Sequence, residues 1–232
     1  MCVVVIAMAA HPRWRLVAAG NRDEFHARAS APLSRWDDGS GVIAGRDLVS
    51  GGTWLGVSEA GRFAVVTNVA GYPRGADAPS RGALVGDYLR DGTVPTDANL
   101  GSYGGFSLLT VGTDAAFRTN RPTSDGRPLA PGLHGISNGP LDPPWPRTRT
   151  LTDMLGEWLR DERPVRALLD LLLDEAPAGP GERPVFIREP VYGTRCSTVV
   201  AIDATGAGTI IERRYDPAGA VTGETTIAFR WP

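Results

Sequence analysis

Apolar positions in this chain fall in short β-type runs more often than in a helical period. Residues 2–10 form one run and residues 14–19 a second, with His11-Pro12-Arg13 between them. Two such runs around a short turn predict a hairpin. The second run leads into Gly20-Asn21-Arg22-Asp23-Glu24, so the hairpin brings residue 2 back beside residues 21–24.

Residues 25–41 read as a loop, broken by Pro32 and by Gly39-Ser40-Gly41. A strand and turn follow at 42–47, then Gly51-Gly52-Thr53-Trp54-Leu55-Gly56-Val57-Ser58, whose paired glycines permit a tight backbone before a strand. Residues 62–69 form a second hairpin arm that ends at Asn68. Ser80 caps a helix over 83–90, and strands at 105–112 and 115–120 make another hairpin around Asp114. A short strand at 132–139 ends in Asn138 between glycines, and four prolines up to Pro146 make the next connection rigid. Helices are predicted over 147–161 and 165–175, the second bounded by Pro164 and Pro177. After a Pro/Gly loop at 176–184, strands at 193–202, 207–215 and 221–229 close the chain.

A length of 232 residues suits one domain over 1–232. The hydrophobic content of 42% and charged content of 22% are ordinary for a soluble globular protein. A net charge of −2 gives no electrostatic case for nucleic acid. All 24 basic residues are arginine, which excludes lysine Schiff-base chemistry. Two cysteines, at 2 and 196, make no disulfide framework, and no Cys-x-x-Cys or His-x-x-x-His pair suggests structural zinc. The first apolar run has no basic segment before it and is too short for a membrane helix. A bacterial, cytoplasmic enzyme or binding protein is the expectation, with no integral membrane segment.

Cys2 carries the most specific chemistry. If Met1 is removed, one residue bears both a thiol and a free α-amine. That amine, with a pKa of about 7.7–8.0, can act as base for its own side chain. The plain alternative is a small residue buried in the first strand. Arg22 and Asp23 would supply a cation to favour a thiolate and a carboxylate to hold an ammonium. Being adjacent, they cannot both face the thiol on a regular strand, so a turn or bulge is expected there. Asn68, at a strand end, either satisfies turn backbone or donates to an oxyanion. Trp54 reads as core or pocket wall.

The Met-Cys start before an apolar strand, Asn21-Arg22-Asp23-Glu24, Arg28 and Pro32-Leu33 together resemble the NRDE family, which includes the transport and Golgi organisation 2 homologues. The resemblance continues through Gly51 to Gly56, Val66-Thr67-Asn68, Gly135-Ile136-Ser137-Asn138-Gly139 and Tyr192-Gly193-Thr194-Arg195, and so spans nearly the whole chain. It implies an α+β fold, a four-layer αββα sandwich of the N-terminal-nucleophile hydrolase type. It also implies a catalytic set of Cys2, Arg22, Asp23, Asn68, Asn138 and Arg195, with Asn21, Trp54 and His134 as candidate substrate contacts. If Arg195 faces Cys2, strand alternation turns Cys196 away, and a Cys2–Cys196 disulfide is not expected. The implied substrate is a small acyl amide or ester, with no cofactor required.

A second class of function comes with the same family: haem trafficking, or binding of a lipid or acyl conjugate on a non-catalytic scaffold. Its candidate ligands are His11, His26 and His134. No Cys-x-x-Cys-His is present, so any haem would be labile.

Overall fold

The computed structural model describes residues 2–161, 163–177, 179 and 183–232. Loss of Met1 therefore concerns a residue outside the described set, as does part of the predicted 176–184 loop. The chain opens with β1 (Val3–His11) and β2 (Trp14–Phe25), then β3 (Ser30–Arg35), β4 (Val42–Asp47), β5 (Leu55–Ser58) and β6 (Arg62–Asn68). Helices α1 (Arg81–Asp91) and α2 (Asp97–Leu100) precede β7 (Phe106–Val111), β8 (Ala115–Thr119), β9 (Asp125–Pro128) and β10 (Gly132–Ile136). Helix α3 (Pro146–Arg160), a 3-10 turn (Val165–Ala167) and α4 (Leu168–Leu171) lead to β11 (Tyr192–Asp203), β12 (Ala207–Tyr215) and β13 (Val221–Arg230).

These elements divide into two compact units. The first takes described residues from 1–28, 131–137 and 141–229; the second takes 29–130, 138–140 and 230–232. The first unit is an antiparallel sheet in the order β10-β1-β2-β11-β12-β13. Its helix-covered face buries Val3, Val5, Val17, Ala19, Val199 and Ile211 against Leu151, Leu155, Trp158, Leu168 and Leu172. Val4, Ile6, Leu16 and Ala18, on the opposite face, are equally buried. Burial on both faces explains why β1 and β2 read as continuous apolar runs without alternation.

The second unit is a sheet in the order β3-β4-β5-β6-β7-β8-β9. One face packs Val42, Ala44, Ala64, Val66 and Leu108 under Leu84, Val85 and Leu89 of α1. Ser80 caps α1 as expected, its hydroxyl accepting from the Gly82 N–H. Gly52, at φ +73°, lies so close to Gly82 that a Cβ would stand 2.3 Å from the Gly82 carbonyl oxygen. The neighbouring Thr53 N–H donates to that carbonyl at 3.1 Å. The paired glycines thus clamp the start of α1. Gly52→Ala combines positive-φ strain with a backbone clash, so a loss of about 2–4 kcal/mol in urea unfolding is expected.

Two local expectations are corrected, and one strand is added. Residues 30–35 are an edge strand, not loop; Pro32 falls inside the register shift between Ala31 and Ser34, where no ladder donor is needed. Residues 125–128 pair with β8 as a short edge strand that turn-like residues concealed. The second predicted helix is shorter than 165–175. It ends where the Leu172 carbonyl accepts a hydrogen bond from the Asn21 side chain. Among the described residues, no helix is long and apolar enough to cross a membrane.

Candidate active site

Register places the motif around Cys2. Val3 pairs with Asn21 across the β1–β2 hairpin, so Cys2, one residue before β1, lies opposite Arg22. The Asp23 backbone N–H donates to the Cys2 thiol. Ser137 donates from its hydroxyl to the Cys2 carbonyl at 2.9 Å, which fixes the start of the chain against the end of β10. The half-buried thiol is pushed up from its ordinary value, first by burial and then by the Asp23 carboxylate, while Arg22 pulls it down. It is therefore largely a neutral thiol at pH 7, and a base must take its proton when it reacts.

The sequence Asn-Arg-Asp alternates regularly along β2. Asn21 and Asp23 point to the helix-covered face, and Arg22 to the other. The expected irregularity exists, but in the partner strand: Thr194 pairs with Asp23 and Cys196 with Arg22, leaving Arg195 as the extra residue of a bulge. This overturns the expectation that Cys196 turns away from the Cys2 side, while alternation from Cys196 to Val200 is regular. Cys196 lies on the same face as Arg22, and its thiol is pushed well up by burial and by Glu212, with a further contribution from Cys2. The absence of a Cys2–Cys196 bridge has a different cause. β1 and β11 flank β2 on opposite sides, so their Cα atoms are about 9.5 Å apart, beyond the roughly 7 Å a disulfide spans.

Asp23 is fully engaged. Its Oδ2 accepts from Arg147 at 2.6 Å and its Oδ1 from the Thr194 hydroxyl at 2.7 Å. Its carbonyl accepts from the Tyr192 hydroxyl at 2.9 Å. Burial pushes the carboxyl up, and the Arg147 guanidinium pulls it back. Asn21, with no exposed surface, donates to the Leu172 and Val185 carbonyls at 2.8 and 2.9 Å and accepts from Ser197 at 2.6 Å. The expected substrate contact at Asn21 is therefore corrected: both amide hydrogens are spent on backbone, and the residue anchors β2 to the α4 segment. Arg22 is 11% exposed; its Nη2 is 3.8 Å from Glu24 and its buried Nη1 has no hydrogen-bond partner.

Arg195 sends one guanidinium nitrogen to the carbonyls of Phe25, His26 and Arg28 at 2.9–3.0 Å. It thereby shapes the turn that follows the motif. His134 pairs with Ile6, four residues along β1 from Cys2, or about 13 Å away. Its Nδ1 is hydrogen bonded to Asp142 at 2.9 Å. His26 Nε2 meets the Glu189 carbonyl at 3.0 Å, and His11 Nδ1 accepts from the Arg13 N–H in the hairpin turn. Each histidine thus has one ring nitrogen in a local hydrogen bond.

In the second unit, Asn138 and Asn68 meet. The Asn138 side chain donates to the Asn68 carbonyl at 3.1 Å, and the Ala70 N–H donates to the Asn138 carbonyl at 2.9 Å. Asn138 is buried and Asn68 is exposed. Trp54 is half-buried just before β5, its carbonyl accepting from the Val66 N–H at 2.8 Å. Arg147 was not among the sequence candidates. Its only signal was a basic side chain at the start of a predicted helix, with nothing to link it to Asp23.

Comparison with a solved structure shows the fold. A Caenorhabditis elegans N-acylethanolamine-hydrolyzing acid amidase ortholog superposes with a TM-score of 0.52 at 11% identity, covering 85% of this chain and 92% of its own. The fold is thus mixed, sheet-rich and like that of the N-terminal-nucleophile hydrolases. The chain belongs to the Transport and Golgi organisation 2 family, which it matches over residues 1–217. It is 31% identical to the Bos taurus Transport and Golgi organization protein 2 homolog over 97% of each chain, and 29% identical to the Homo sapiens homolog over 92% of each.

Proposed function

We propose that this protein is an N-terminal-nucleophile cysteine hydrolase or acyltransferase acting on an amide or ester bond. The observation that carries the reading is the placement of the Asn21–Glu24 segment around Cys2, with the Asp23 N–H on the thiol. Removal of Met1 frees the Cys2 amine. A thiol raised by burial calls for a base at the moment of attack, and this amine is within its own residue. Asp23 supplies negative charge to hold the ammonium so formed. Arg22 favours anionic species along the path.

The thiol sulfur forms a bond to the acyl carbon while its proton passes to the amine. The ammonium returns that proton to the leaving amine or alcohol as the C–N or C–O bond breaks. Water then hydrolyses the thioester and restores the thiol; an amine acceptor in its place gives acyl transfer. Asn68 and Asn138 are assigned the oxyanion role by family resemblance. Arg195 acts on the turn after the motif. The structural relative's name specifies amide hydrolysis, which puts acyl amides first in a screen, although a shared fold does not assign a reaction.

Intact mass before and after treatment with iodoacetamide tests the reading. The expected result is a chain lacking Met1, labelled once, at Cys2. Below the thiol pKa, the labelling rate should rise about tenfold per pH unit. Retained Met1 with an inert Cys2 would overturn it.

A further inference from the structure

Arg147 stands outside every motif that marks the family resemblance, yet from a buried position it hydrogen-bonds Asp23 of the Asn21–Glu24 segment. It lies in the first turn of α3, and its side chain is 7% exposed against 0% for Asp23. One guanidinium nitrogen meets Asp23 Oδ2 at 2.6 Å and the Val185 carbonyl at 3.0 Å. Thr194 holds the other carboxylate oxygen, Tyr192 the carbonyl, and the Cys2 thiol receives the N–H. Asp23 is thus fixed at each of its polar atoms. Of these partners only Arg147 carries a full positive charge. A carboxylate without exposed surface stays ionised only with such a partner.

We propose that Arg147 is a positioning residue of the Cys2 centre: through Asp23, it holds a charged and oriented carboxylate beside the nucleophile. The proposal rests on the reading of Cys2 given above. It adds a coupling between the helix layer and the reacting end of the chain, because α3 carries the cation. Arg147 has no contact with Cys2 of its own in this arrangement, so its effect must pass through Asp23.

The test is the pH dependence of iodoacetamide alkylation at Cys2, followed by peptide mass in the full-length chain, with Cys196 as internal control. Asp23→Asn removes a negative charge that raises the thiol, so the profile should move to lower pH by about half a unit or more. Arg147→Gln leaves a buried carboxyl without its cation. That carboxyl takes up a proton, and the profile should move in the same direction by a similar amount. Arg147→Lys, which keeps the charge, should stay nearer the wild type. Cys196, buried on its strand, should stay unlabelled in every variant. A profile that stays in place or moves upward in Arg147→Gln overturns the proposal, even if the melting temperature falls.

Should Arg147→Gln alone not fold, the Asp23→Asn/Arg147→Gln pair leaves neither charge buried alone. Its profile should superpose on that of Asp23→Asn, and any further displacement overturns action through Asp23. The two ideas fail separately. An inert Cys2, or one indifferent to Asp23→Asn, sinks the nucleophile reading; a response to Asp23→Asn without one to Arg147→Gln sinks only the role of Arg147.

Discussion

Asn21→Leu should destabilise the protein by about 3–5 kcal/mol in urea unfolding. The two side chains have similar volume, so packing changes little. What changes is polar satisfaction. The Leu172 and Val185 carbonyls lose the donors that reach them at 2.8 and 2.9 Å, and the Ser197 hydroxyl loses its acceptor. All of this occurs at a residue with no exposed surface, where water cannot substitute. Leaving buried polar groups unpaired costs about 1–3 kcal/mol each. Ser197 retains one contact, from the Tyr215 hydroxyl at 3.1 Å, so the sum falls short of three full penalties. A loss under about 1 kcal/mol would mean that the segment after α4 finds other donors, and the anchoring role would be wrong. The result bears on function as well: Asn21 is in the motif for the fold, and a variant that fails there says nothing about substrate.

Cys2→Ala should reduce turnover of any substrate found in the amide and ester screen by at least about three orders of magnitude, with stability nearly unchanged. The nucleophile is replaced at a half-buried site just ahead of β1, where the loss of a thiol opens little space. Adding one residue before Cys2, which moves the free amine, should cost nearly as much if the amine is the base. Turnover that survives both changes would place the reaction elsewhere on the molecule. Turnover lost in the first variant only would keep the thiol and discard the amine.

The strands were legible because their apolar runs are long and their turns carry His-Pro-Arg, Glu-Ala-Gly or Asp. The hairpin that returns residue 2 to the motif followed directly, since an antiparallel pair with a short turn has little choice of register. The pairing of Val3 with Asn21 is the observed outcome. The edge strands β3 and β9 were not legible. An edge tolerates proline and polar residues, so nothing in composition separates it from loop. The side that Cys196 takes was misread for one reason: a one-residue bulge at Arg195 leaves no mark on alternation, yet it shifts every residue on its N-terminal side. The candidate site was read as residue types around Cys2; register sets Arg22 opposite it, and the Asp23 N–H meets its thiol. Their division between contact and support was hidden, because Asn21 and Asp23 meet partners 124 to 176 positions away. Long-range pairs of that kind leave no local periodicity.

The strand between the two cysteines bears on oxidation. A cysteine oxidised to sulfenic acid is commonly rescued when a neighbouring thiol condenses with it. With β2 interposed, Cys196 cannot serve as that resolving thiol in the folded chain. A sulfenate at Cys2 would depend on a thiol from solution for its return, and without one it would stay open to irreversible over-oxidation.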